Sequence, residues 1–233
     1  MKLTKSKIIF GAVALIILTA IGIKRVKGQE MGVELNGSYV SDYIRRGVSK
    51  ADDSVQARIN VTLPIECKFL DVTNLYGKFL LNRPLDGSST TRDVYVGTVF
   101  GTSLVQVDLG ARYLSVFDGM DSSELYGGLK LDVIGNPGVY VCNAEDPDFT
   151  SVELRVSESL TWGFLPEKVS NNVRGRVGKR DAPVDTTFYE VGTEVGYKLS
   201  DSTTAFAGIA YGGTTTDVYD DVVSYTVGVR ASF

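Results

Sequence analysis

The C-terminal segment VVSYTVGVRASF constrains the fold more than any other stretch of the chain. Val223, Tyr225, Val227, Val229, Ala231 and Phe233 fall on one face of an extended strand. Ser224, Thr226, Gly228, Arg230 and Ser232 fall on the other. This is period-two alternation, the mark of a strand whose two faces meet different surroundings. A tilted strand of about 9 to 11 residues crosses a bilayer, and this one has that length and ends on an aromatic ring. The same period recurs in TFYEVGTEVGYKL, LVQVDLGARYLSVF and ELYGGLKLDV. In each, one face is apolar with tyrosines near the strand ends, and the other carries charge and glycine. Alternation alone fits both a soluble sandwich and a membrane barrel, because the two differ only in which face meets water.

The N-terminus tips that balance. MKLTKSK is basic and IIFGAVALIILTAIGI is a continuous apolar run, shorter than the roughly 20 apolar residues a spanning helix needs. Residues 1–28 therefore read as a signal peptide, with an uncleaved N-terminal anchor as the other reading. Lys2, Lys5, Lys7, Lys24, Arg25 and Lys27 lie in this stretch, which holds no acid. The remainder, 29–233, is therefore six charges more negative than the formal −4 of the whole chain, and it offers no basic patch for nucleic acid. The chain has no histidine, so Ser-His and Cys-His nucleophiles and His-ligated metals are excluded. No CxxC or glycine-rich phosphate loop occurs. A hydrolase or acyltransferase would have to work with carboxylates alone, and no spacing marks such a pair. The expectation is no enzyme, no cofactor and no metal site.

Eleven segments between 31–44 and 221–233 read as strands. An up-and-down barrel with both termini on one side needs an even number, so a twelfth is expected between 161 and 186, supplied by TWGFLPEKV or NNVRGRV. Ten is the count if the short segment 138–143 also fails. The class is all-β: a closed antiparallel up-and-down transmembrane barrel, which leaves no unpaired edge in lipid. With the first strand rising from the periplasm, the connections alternate between long and short. RRGVSKADDS, NRPLDGSSTTR, NAEDPD and GGTTTDVYDD face outward, while LPIE, GTS, GNPG and SDS face the periplasm. Cys67 then lies at a periplasmic turn and Cys142 at the outer end of another strand. The apolar band between those levels is about 25 Å tall, and bridged cysteines need Cα atoms within about 7 Å, so no internal disulfide is expected.

The polar faces give the lumen candidates Asp42, Arg46, Arg58, Asp108, Arg112, Lys130, Arg155, Glu190, Glu194 and Arg230. Glu34, Glu124, Asp132, Glu153 and Lys198 share the same phase. The signs are mixed with a slight acidic excess, which favours cations. The expected function is passive diffusion of ions or small solutes through a narrow outer-membrane channel of a Gram-negative cell. The alternative is a closed barrel whose acidic outer loops SKADDS, DGMDSS, NAEDPD and TTTDVYDD contact a partner. Expected partners are outer-membrane lipid, small solutes or ions, and the barrel-assembly machinery, engaged through the strand ending at Phe233.

SDYIRRGVS, residues 41–49, resembles the first-strand motif of the TorF-type porin family, in which Ser-Asp-Tyr is followed two residues later by Arg-Gly. Here those positions are Ser41, Asp42, Tyr43, Arg46 and Gly47. RDVYVGTVFG, VDLGARYLSVF and SELYGGLKL are similar to its later strands, and the likeness extends over most of 33–233. Arg45 departs from the pattern, which tends to an apolar or aromatic residue there. The resemblance implies passive transport without naming a solute. Asp42 and Arg46, four apart in a strand, share the lumen face at roughly 13 Å separation. Each is expected to pair with a neighbouring strand, and Gly47 to bend the chain at the rim.

Overall fold

The computed structural model describes residues 31–67, 69–116, 121–145, 149–160, 166–181, 185–216 and 220–233. Residues 1–28, the expected signal peptide, lie outside them. Twelve strands follow one another: β1 Gly32–Arg45, β2 Val48–Pro64, β3 Val72–Pro84, β4 Thr91–Gly101, β5 Val105–Val116, β6 Ser122–Leu131, β7 Gly138–Glu145, β8 Phe149–Leu160, β9 Val169–Arg180, β10 Thr186–Lys198, β11 Thr203–Thr214 and β12 Val222–Ser232. Each pairs antiparallel with its sequence neighbours, and β1 closes on β12 through the run Glu34↔Ser232 to Val40↔Thr226. The Phe233 and Val33 main chains bond in both directions just beyond that run. The twelfth strand is β9, which contains NNVRGRV. The segment 138–143 is the heart of β7.

The chain is inside out relative to a soluble domain. Glu153 and Asn82 are fully buried, with Asp93 and Arg112 nearly so. Leu35, Ile59, Leu109, Leu125, Leu129, Val191 and Val227 stand exposed on the outer wall. The alternation read from the sequence is thus the alternation of wall faces. Cys67 is exposed in the β2–β3 turn, and Cys142 is buried on the inner face of β7; neither is bridged.

The expected parity of long and short connections does not hold. RRGVSKADDS, expected as a long outer loop, is a hairpin. Arg46 and Gly47 alone connect β1 to β2, and SKADDS belongs to β2. Both turn residues are left-handed, with φ of 50° and 72°, the backbone that a two-residue I′ turn requires. Polar composition misled here because the hairpin's environment is itself polar. β1 leaves β12 after Val40, and β2 leaves β3 above Ser54, while the β1–β2 ladder continues past an irregularity at Asp42/Ile44 to Arg45↔Val48. The hairpin 41–53 therefore parts from the wall on both sides and leans over the bore.

Candidate functional site

The hairpin tip ends inside the barrel. A Cβ on Gly47 would lie 2.0 Å from the Gly213 carbonyl oxygen on β11, so only glycine permits this approach. The Gly47 N–H donates to Glu190 Oε1 on β10 at 2.8 Å. Arg46, 7% exposed, donates from Nε to Glu153 Oε1 at 2.8 Å and from Nη1 to Glu124 Oε1 at 2.5 Å, and its guanidinium lies 5.0 Å from the Phe149 ring centroid. Arg45 reaches the same Glu124 oxygen at 3.1 Å. Tyr43 donates to Asp93 at 3.3 Å. The Ser41 hydroxyl accepts from the Tyr225 N–H at 3.0 Å and donates to Asp42 at 3.2 Å.

The acids that receive the hairpin are held by wall arginines. Arg112 donates to Asp93 at 2.5 Å and to Glu124 at 3.4 Å. Arg155 donates twice to Glu153, at 3.0 and 2.7 Å. Arg176 donates to both Glu190 oxygens at 2.6 Å. The result is one chain of charges running Asp93, Arg112, Glu124, Arg46, Glu153, Arg176, Glu190, and it bolts the hairpin across the mouth opposite the termini. Charge-assisted bonds of this length are the strong kind, and the pairs of Arg46 and Arg112, buried on both sides, are costly to break.

Beside and below the hairpin lies a cavity of about 750 Å³. Of the sequence candidates, Asp42, Arg46, Arg58, Asp108, Arg112, Arg155, Glu190, Glu194 and Arg230 line it. Lys130 faces inward, opposite Gln106 and Gly138, but does not line the cavity. Asp132 is not in the lumen phase at all: β6 ends at Leu131, and Asp132 is exposed in the following turn. Lys198 pairs with Asp201 at the β10–β11 turn. Glu34 and Glu194 flank Arg230 at 3.6 and 2.9 Å.

Sequence reading missed Lys78, Arg174, Arg176 and the inner tyrosines. Arg174 and Arg176 sit on β9, whose position could not be phased, and they add to a basic balance. Arginine and lysine outnumber aspartate and glutamate among the cavity-lining residues, where an acidic excess was expected. Tyr76, Tyr95, Tyr126 and Tyr140 also point inward. Several inner aromatic rings lie flat over a glycine on the neighbouring strand. Tyr76 covers Gly97, Tyr126 covers Gly110, Tyr140 covers Gly128, Phe188 covers Gly178 and Phe206 covers Gly228, each a directly opposed cross-strand pair. A Cβ on Gly110 would lie 2.4 Å from the Tyr126 hydroxyl oxygen. The joint abundance of glycine and tyrosine is the composition-level trace of these seats.

No family model and no curated protein matches the chain. Solved structures do. The KdgM porin has a TM-score of 0.54 at 10% identity, covering 87% of this chain and 99% of that one. The same porin has also been solved in complex with disordered oligogalacturonate. The NanC porin has a TM-score of 0.54 at 11% identity, covering 85% and 98%. At this identity the likeness is one of fold: the chain is a closed twelve-stranded antiparallel barrel of the porin-like kind.

Proposed function

We propose that the protein is a narrow outer-membrane channel of a Gram-negative cell, a member of the TorF-type porin family, that lets small solutes diffuse passively and has no enzymatic role. The observation that carries this reading is the polar, charge-lined cavity of about 750 Å³ inside a closed barrel with an apolar outer wall. A barrel whose only task is anchorage has no use for a hydrated bore of that size. The basic lining makes anions the favoured solutes, since the sign of fixed charge in a water-filled lumen selects the counter-ion. The KdgM and NanC porins lend support through their fold.

The bolted hairpin favours a second reading, a closed barrel that serves as a surface or structural protein. Single-channel conductance of the refolded 29–233 chain in planar bilayers, across a salt gradient, separates the two. Discrete steps with a reversal potential of anion-selective sign are expected. A silent barrel that still shows heat-modifiable mobility on gels overturns the channel reading in favour of the closed one.

A further inference from the structure

Most arginines lining the cavity are ion-paired. Arg58, Lys78 and Arg174 differ: among the described residues none of them has an ion-pair partner, and all three side chains line the cavity. Arg58 on β2 opposes Leu80, and Lys78 on β3 opposes Asn60. The two cations are therefore diagonal neighbours on one sheet face, a spacing of about 7–8 Å. Arg174 projects from β9, well round the barrel; the charge of Arg58 repels it, and Glu194 and Glu190 attract it without making an ion-pair contact. The charge of Asp108 acts on Lys78, but its two oxygens accept from Tyr76 at 2.6 Å and Tyr140 at 3.4 Å. Lys78 Nζ also stands 5.0 Å from the Tyr76 ring centroid, and the residue lines the cavity. Three cations around one space, none in direct contact with an acid, are better accommodated when an anion sits between them. The hydroxyl and amide side chains of Ser38, Ser159 and Asn172 line the same space.

We infer that Arg58, Lys78 and Arg174 form a subsite within the lumen for the oxyanion group of a small solute, a carboxylate or a phosphate. The cavity lies in the usual range of small-molecule sites, about 300–1,000 Å³, and its polar lining suits a hydroxylated organic anion. The inference rests on the channel reading for the solute's access, though binding itself needs no conduction. Isothermal titration calorimetry of the full folded barrel in detergent, with sodium glucuronate, inorganic phosphate and glucose as probes, tests it. Binding of at least one anion is expected, with no binding of glucose. The triple substitution R58Q/K78Q/R174Q should weaken it at least about tenfold, and K78Q alone by less. Glucuronate binding without phosphate binding assigns the site to organic carboxylates, and the converse assigns it to phosphate. The proposal is overturned if neither anion binds, if glucose binds as well as the anions, or if both variants bind like the wild type while retaining heat-modifiable mobility. A conducting barrel that binds neither anion loses the subsite but keeps the channel. A silent barrel that binds anions loses the channel and keeps the subsite.

Discussion

The mouth of the bore and its middle handle the same residue type in opposite ways. At the mouth, arginines and carboxylates pair with one another, and the pairing holds a piece of main chain in place. In the middle, Arg230 keeps its two acids, but Arg58, Lys78 and Arg174 line the cavity with no ion-pair partner among the described residues. The contrast separates two uses of charge in a barrel. Paired charge behaves as structure, because each ion is engaged by a protein partner of opposite sign. Unpaired charge stays available to whatever enters.

The sharpest way to break the comparison is to remove the acid with the most partners. Glu153, fully buried, receives Arg46 and Arg155 and lies 3.6 Å from Arg176. E153Q leaves buried arginines short of an acid and should destabilise the barrel by about 3–5 kcal/mol, read by urea unfolding in lipid vesicles. A change of less than about 1 kcal/mol would mean that the mouth network is solvated rather than structural. G47V attacks the hairpin rather than its acids. The left-handed backbone alone costs a β-branched residue about 1–2 kcal/mol, and the Gly213 contact adds to that. The hairpin should swing away from the lumen, with single-channel conductance rising while the barrel stays folded. Unchanged conductance in a folded G47V barrel would show that the hairpin does not restrict the bore. R230Q probes the middle, where the side chain is 31% exposed beside two acids. Solvent screening keeps its stability effect below about 1 kcal/mol, measured in the same unfolding assay, so a loss as large as that of E153Q would erase the distinction between the two levels.

The wall was legible in the sequence and the mouth was not. Period two placed inner and outer faces correctly along β5, β10 and β12, because every wall residue sees either lipid or lumen and nothing intermediate. It failed at β9, where Asn171 and Gly175 break the apolar side of the alternation. It failed again at the hairpin for a different reason. Residues 41–53 touch polar groups on every side, so their composition is that of a loop although their backbone is a ladder. Asp42 and Arg46 were read as wall residues that would pair with adjacent strands. Arg46 instead spans the bore to β6 and β8, a contact between distant strands that local spacing cannot encode. Within the SDYIRRGVS stretch, Tyr43, Arg46 and Gly47 fasten the hairpin to β4, β6, β8 and β10.

The glycine seats bear on how such a barrel can change its aperture. Strand number and stagger fix the diameter of the backbone cylinder, yet the free width is what remains after the side chains are laid down. A ring that lies flat on a glycine takes up little of that width; the same ring lifted off the wall by a methyl group would take up more. Exchanging a single hydrogen for a methyl at Gly128, where the three nearest atoms all belong to the Tyr140 ring, would therefore act as a diaphragm adjustment. It would alter the size cut-off for solutes while leaving the lumen's charge unchanged.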